Sequence, residues 1–295
     1  MAGPSALQRT LAPLRRVLPA RFRDIPIVPV VRLAGAIGIS SPLKPGLTIA
    51  NAARPLERAF SMRNIKAVAL SINSPGGAAA QSHLIHQRIR ALAQEHNVPV
   101  IAFVEDVAAS GGYMIACAAD EIIADASSIV GSIGVVGGSF GFDKLIARWG
   151  IERRVYTSGD RKVTLDPFLP ENPDDVERLK AIQHEIHESF IALVRARRGD
   201  RLDSRETALF SGEYWTGRRG VELGLVDAVG DLRGTLRQRF GDKVQTPLIA
   251  DRGFFGRRLP GVSRGDLESP RGGLSLAEDA LSTLEARALW ARYGL

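Results

Sequence analysis

Two loops carry residue types that could do chemistry. The first is Asn73-Ser74-Pro75-Gly76-Gly77, where a short apolar run gives way to a turn ahead of a helical pattern. Paired glycines let the backbone approach a ligand closely and adopt positive φ. Their N–H groups, near a helix start, suit an anion or a developing oxyanion. The second loop is Val107-Ala108-Ala109-Ser110-Gly111-Gly112-Tyr113. It follows a strand pattern and opens a small-residue helix, so Ser110 stands at the positive end of a helix dipole with the Gly111 N–H adjacent. That suits a nucleophile on a sharp strand-to-helix turn. The same residues also read as a tight βα turn with a helix-capping serine.

A nucleophilic serine needs a base, and histidine is the default. The five histidines are His83, His86, His96, His184 and His187, and none lies between Ser110 and the helical pattern that begins near residue 172. His83/His86 and His184/His187 are i, i+3 pairs. Such pairs can bind metal, but no HExxH pattern is present, and solvated or half-buried helix histidines are the ordinary reading. No metal and no cofactor is expected. The remaining base is a lysine. Lys162 lies in Thr157-Ser158-Gly159-Asp160-Arg161-Lys162, a polar loop ahead of a long helix. A lysine base must be neutral, so a reference pKa near 10.4 must fall by roughly three units, about 4 kcal/mol of differential solvation. An exposed loop cannot supply that. Burial by another body, such as a neighbouring subunit, can; otherwise Lys162 is a solvated charge.

The elements that must position these loops follow from hydrophobic periodicity. Ile25 to Arg32 reads as an opening strand, and Ala34 to Pro55 as a Gly/Pro/Ser-rich loop leading into a short helix around Leu56 to Met62. Ala67 to Ile72 and Val98 to Val104 are short apolar runs with the character of buried strands. Gln81 to Gln94 has a helical period. Ile122 to Ala124, Ser132 to Val136 and Arg153 to Tyr156 are short strand candidates. Asn172 to Arg198 is a long amphipathic helix with Pro173 in its first turn and acids after it. Gly217 to Leu223 and Asp231 to Phe240 are further helices, with a strand at Leu225 to Val229. Strands alternating with helices argue for an α/β layered core.

Composition bounds the partners. The chain has 295 residues, 45% hydrophobic and 24% charged, which is ordinary globular usage. Disorder throughout, collagen and a disulfide scaffold are excluded, and the single cysteine, Cys117, cannot form an internal bridge. Lysine and arginine number 39 against 32 acids, a net +7 that gathers at the ends. There is no RRM-type motif and no zinc-finger spacing, so no nucleic-acid partner is expected. No stretch reaches the ~18 uncharged apolar residues of a membrane span, and residues 1–23 lack a secretory apolar run. A cytoplasmic location is therefore expected. Leu7, Leu11, Leu14 and Leu18 recur at helical spacing among arginines. That leader reads either as a helix making peripheral contact with an anionic membrane or as a basic stretch broken by Pro4, Pro13 and Pro19.

Five ordered blocks carry a resemblance: INSPGG at 72–77, EDVAASGGYMIACAADEIIAD at 105–125, SSIVGSIGV at 127–135, SGDRKVTLDPF at 158–168 and WTGRRGVELGLVDAVGD at 215–231. Over about residues 25–241 the chain resembles the signal peptide peptidase A family of serine-lysine endopeptidases, in its short single-repeat form. The resemblance implies an α/β, Clp protease/crotonase-like fold of repeated β-β-α units. It implies Ser110 as nucleophile, Lys162 as general base and Ser132 as the residue that orients the lysine amine. The oxyanion donors would be the backbone N–H groups of Gly76, Gly77 and Gly111. Peptide substrates are implied, unfolded or apolar, such as signal-peptide remnants. So is a homo-oligomeric ring with shared sites, in which one protomer's lysine serves its neighbour's serine. Many relatives begin with a membrane-spanning anchor, and this sequence shows none.

The expected layout is a basic leader at 1–24, a peptidase domain at 25–250, a linker or mobile loop at 251–273 and a C-terminal helix at 274–295. Two other function classes share parts of the pattern. A crotonase-type acyl-CoA enzyme would use the same paired oxyanion amides with an acid in the cleft, for which Glu105 and Asp106 are candidates by position. A non-catalytic oligomeric scaffold would not need Ser110, Ser132 and Lys162 together.

Overall fold

The computed structural model describes residues 25–39, 46–159, 161–249 and 272–295, with side chains of the last segment from Ser282 onward. The leader 1–24 and nearly all of the expected linker 251–273 lie outside the described residues. The chain is α/β, built on a mostly parallel sheet. In order, its elements are β1 (Val30–Ala34), α1 (Ile49–Phe60), β2 (Val68–Ser74), α2 (Ala79–His96), β3 (Val100–Ala109), α3 (Gly111–Ala116), β4 (Glu121–Ala124), β5 (Ile129–Gly131), α4 (Asp143–Arg148), α5 (Pro173–Arg198), β6 (Tyr214–Thr216), α6 (Gly217–Glu222), β7 (Ala228–Val229), α7 (Leu232–Phe240) and α8 (Gly272–Ala291).

The sheet runs β1-β2-β3-β4-β7, all parallel. Period-2 alternation divides its side chains. Val68, Leu70 and Ile72 pack into a large core with α1, α2, α3 and α5. Ala67, Ala69, Ile101 and Phe103 face a smaller core closed by Leu232, Leu236 and Phe240 of α7. Both faces are covered, which is why the central strands read as unbroken apolar runs.

Strand β3 runs five residues past the end of the apolar run at Val98–Val104, because it serves two partners. Its first half pairs β4 from Ile101↔Glu121 to Val104↔Ala124, and its second half pairs β5 from Val107↔Ile129 to Ala109↔Gly131. Between them the register against β2 shifts, so that Ile72 faces Val104 but Ser74 faces Ala108. Glu105 and Asp106 fill the shift. Arg32 holds Glu105 through two bonds of 3.1 and 2.7 Å, Ser71 also donates to Glu105, and Asn73 Nδ2 donates to Asp106 at 2.6 Å. The bend carries the end of β3 out of the main sheet to β5, whose other edge takes β6 antiparallel.

Three elements differ from the sequence expectation. Helix α1 begins at Ile49, inside the stretch read as loop, with the Thr48 N–H held by Asn51 Oδ1 at 3.0 Å. Residues 132–136 and 153–156 form no strand; the first run is irregular chain bending at Gly134 after β5, and the second lies on an excursion that pairs with no strand among the described residues. Helix α5 starts as expected at Pro173, with Asn172 accepting from the Asp174 N–H at 3.0 Å. Its far end is clamped. Arg198, 3% exposed, binds Asp227 at 2.7 and 3.0 Å and donates to the Gly224 carbonyl at 2.8 Å. That clamp fixes which face of α5 looks at the end of β3.

Candidate active site

Ser110 occupies the single residue between β3 and α3, at φ 52° and ψ −121°. A non-glycine residue there is strained by about 1–3 kcal/mol, and such strain persists only where the surroundings over-determine it. Here the Ser110 N–H is tied to the Gly131 carbonyl at 2.8 Å, and Ala109 and Gly111 on either side are buried. Ser132 repeats the pattern one residue beyond β5. Its φ is 53°, it is 5% exposed, and its N–H donates to the Glu213 carbonyl at 2.7 Å. The two strained serines line one polar cavity of about 330 Å³, with His187, Ser211 and Arg292.

The glycines are where three backbone segments meet. At Gly76, φ is 102° and an added Cβ would lie 2.8 Å from Ser110 Cβ and 3.0 Å from Gly111 N. At Gly77, φ is 141° and a Cβ would lie 2.1 Å from the Ile37 carbonyl oxygen. The candidate donors are not equivalent. The Gly76 N–H points at Ser74 Oγ, 3.3 Å away. Gly111 is the first residue of α3, so its N–H has no carbonyl to meet within the helix. Gly77 and Gly111 both line, with Ser110, a larger cleft of about 700 Å³ whose walls include Met114, Phe190 and Leu289.

Lys162 is elsewhere. It is exposed, lines neither cavity, and its backbone N–H closes a turn onto the Gly159 carbonyl at 3.2 Å. It belongs to the excursion between β5 and α5, where large apolar side chains face outward: Val136 70%, Phe140 78%, Trp149 77% and Tyr156 90% exposed. Within one chain, Ser110 and Ser132 are brought together and Lys162 is not brought to them.

Two residues of the site carry no signal in the sequence. His187, set aside above as a helix histidine, projects from α5 into the Ser132 cavity, with Nε2 3.1 Å from the Ile133 carbonyl oxygen. Tyr293 donates its hydroxyl to Ser132 Oγ at 3.2 Å. Both are polar residues on amphipathic stretches, and only the packing of α5 and of the C-terminal segment onto the β5 turn brings them there.

Other candidates are placed away from this chemistry. Burial pushes the Cys117 thiol up to about 12, so it is no thiolate nucleophile at neutral pH. Glu105 and Asp106 line a separate cavity with Asp125, Ser128 and Asp231, not the one at Ser110. The Arg32 bond holds Glu105 below its usual carboxylate range, with burial opposing, so it is a poor proton donor for an acyl-CoA reaction. His83 and His86 stack at 6.4 Å, and among the described residues no group of three or more metal-ligating side chains forms.

Residues 92–241 match peptidase family S49. A Brucella abortus protein named Na(+)/H(+) antiporter NhaA is 54% identical over 287 residues, covering 96% of this chain and 39% of that protein. The serine protease SPPA, chloroplastic, of Arabidopsis thaliana is 34% identical over 214 residues, 70% of this chain and 31% of that one. The chain thus spans well under half the length of these relatives. Among the described residues no helix is long and apolar enough to cross a membrane. A solved structure titled 1510-N membrane-bound stomatin-specific protease, in complex with a substrate peptide, is 17% identical with a TM-score of 0.46, covering 86% of this chain and 98% of that one.

Proposed function

The chain belongs to peptidase family S49, and from that premise we propose that it is a serine endopeptidase whose nucleophile is Ser110 and whose base is Lys162 from a second copy of the chain. The observation that carries this is the Ser110 backbone, a strained single-residue joint that sets a hydroxyl at a cleft. A capping serine needs no such conformation. The Asn172 cap of α5, for comparison, has ordinary extended backbone.

In the assembled site the neutral Lys162 amine takes the Ser110 proton as Ser110 Oγ attacks the peptide carbonyl carbon. The carbonyl electrons move onto oxygen, where the N–H groups of Gly77 and Gly111, with Gly76 beside them, receive the charge. Each donor of this kind is worth about 2.7–4 kcal/mol in the transition state. The ammonium then gives its proton to the leaving amine, and the C–N bond breaks to an acyl-enzyme. Water, deprotonated by the same amine, attacks the ester, and the proton returns to Ser110. Ser132 orients the amine by a hydrogen bond. This is triad logic with lysine in place of histidine.

Two features support a second copy as the source of the base. Lys162 is exposed in the single chain, and the excursion that holds it presents aromatic and aliphatic side chains to solvent. A homo-oligomer that buries that excursion would desolvate the lysine in the same step. The apolar walls of the cleft favour extended, unfolded peptides of apolar character, signal-peptide remnants among them.

The test uses wild type, Ser110→Ala and Lys162→Ala, assayed on an unfolded protein and with a fluorophosphonate probe. Both variants should be inactive, and mixed oligomers of the two should regain turnover, because each copy supplies what the other lacks. Turnover by either variant alone refutes the pairing. Inactivity of the mixture, in particles shown to be mixed, refutes sharing between copies.

A further inference from the structure

Ser132 has a partner that the peptidase reading above does not use. The Tyr293 hydroxyl donates to Ser132 Oγ at 3.2 Å, and this phenol is itself held from a third element. Tyr214 of β6 packs edge-on against the Tyr293 ring, with centroids 5.1 Å apart and planes at 81°. The Tyr214 hydroxyl donates to the Arg292 carbonyl at 3.3 Å. Strand β6 pairs β5, and the Ser132 N–H bonds the Glu213 carbonyl just ahead of β6. One local unit therefore holds both the backbone of Ser132 and the side chain that touches its hydroxyl.

We propose that Tyr293 is a positioning residue of the peptidase site, acting on the lysine amine through Ser132. The inference rests on the assignment of Lys162 as base and Ser132 as its orienter. A serine hydroxyl has two lone pairs and one proton. With one lone pair taken by the phenol, a single lone pair and the proton face the polar cavity, and the side chain is pinned in one rotamer. A lysine ammonium must place three N–H donors, whereas a neutral amine must place two. Ser132 with a lone pair already engaged is the poorer acceptor, so the contact disfavours the charged amine and leaves the amine's own lone pair for the Ser110 proton. Tyr293 thus supplies part of what burial alone would otherwise have to supply.

Among the described residues, His187 of α5 lies on the Ile133 carbonyl, Arg292 lines the same cavity, Glu213 precedes β6, and Tyr214 packs on the phenol. On its other side Tyr293 lines a cavity with Glu105, Asp106, Asp125 and Asp231. Of these, His187 is the imidazole that lines the Ser132 cavity.

The experiment compares pH profiles of kcat/KM for the full-length oligomer, wild type against Tyr293→Phe, each also in a His187→Gln background. The acid limb of Tyr293→Phe should lie higher by about half a pH unit, the scale of one neutral hydrogen bond. Its kcat should fall below that limb, its KM should hold, and the shift should persist with His187→Gln. Superimposable profiles overturn the proposal. So does a uniform rise in kcat/KM, which would make the C-terminal segment a cover. A loss equal at every pH, or a changed particle size, makes the contact structural and also overturns it. Lys162→Ala is measured alongside. If it retains turnover, the peptidase reading has failed; if it is inactive while Tyr293→Phe leaves the profile unmoved, only the role of Tyr293 has failed.

Discussion

Ser110 and Lys162 sit in regions of opposite construction. Around Ser110 the backbone is buried, tied to Gly131, and crossed by Gly76 with too little room for a Cβ. Around Lys162 nearly every side chain between Val136 and Glu171 is exposed or half-exposed, and the ion pairs there, Arg153–Asp166 and Arg154–Glu152, are local. The first region can hold a strained serine because strands β2, β3 and β5 leave its backbone no alternative. The second holds a lysine and an apolar surface that nothing among the described residues covers. Positional accuracy comes from the chain's own core, while on the proposed reading the dry surroundings of a neutral amine would come from a second copy.

The sharpest way to break this contrast is at Ser110. Ser110→Gly should abolish turnover, by at least ~10⁴-fold on the scale of removed nucleophiles, yet raise the melting midpoint, since glycine relieves the positive φ by about 0.5–1 kcal/mol. A variant that loses activity and stability together would remove the case for stored strain.

The contrast sharpens at the excursion. Replacing Trp149 and Tyr156 by arginine should leave the far-ultraviolet circular dichroism of the folded chain unchanged. It should weaken self-association by roughly 30-fold or more, the scale of one aromatic hot spot, with turnover falling in parallel as particles dissociate. Monomers that keep full turnover would place the base within one chain.

A control away from both regions is His86. It is 8% exposed, and neither ring nitrogen has a hydrogen-bond partner among the described residues. Burial, with the Arg197 charge, lowers it from 6.5 to about 4. The folded chain therefore resists a proton that the unfolded chain accepts. Stability is full above the unfolded value and declines as pH falls from about 6.5 towards 4, by up to about 3 kcal/mol. Urea melts at pH 7.5 and pH 5 should show about 2 kcal/mol of that loss, and His86→Leu should flatten it; an equal loss in the variant would assign it to other groups. The smallest effect is expected at Arg154→Ala on the excursion. Its ion pair with Glu152 is 69% and 70% exposed, so the melting midpoint should not move measurably.

The apolar runs at 67–72 and 98–104 revealed the central strands because both sheet faces are buried. The Pro173 and acid pattern revealed the start of α5 because caps are local chemistry. Helix α1 was hidden, because Ile49 to Arg54 looks like part of a Gly/Pro-rich loop until Thr48 and Asn51 are seen to close its first turn. The extension of β3 to Ala109 was hidden as well. Glu105 and Asp106 break the apolar run, and only the β5 pairing and the contacts to Arg32, Ser71 and Asn73 explain how they are carried in a strand.

The order of residues alone determined that a glycine-flanked serine would close a βα turn, since glycine spacing and strand-to-helix periodicity are read within a few residues. Only tertiary structure decided what stands beside that serine. Ser132 and His187 come to its cavity from 22 and 77 positions away in the numbering, and Tyr293 comes to Ser132 from 183 positions beyond Ser110, through a sheet pairing, a clamped helix and an edge-packed phenol. Burial and hydrogen-bond direction are properties of the neighbours in space, and no periodicity in the chain encodes them.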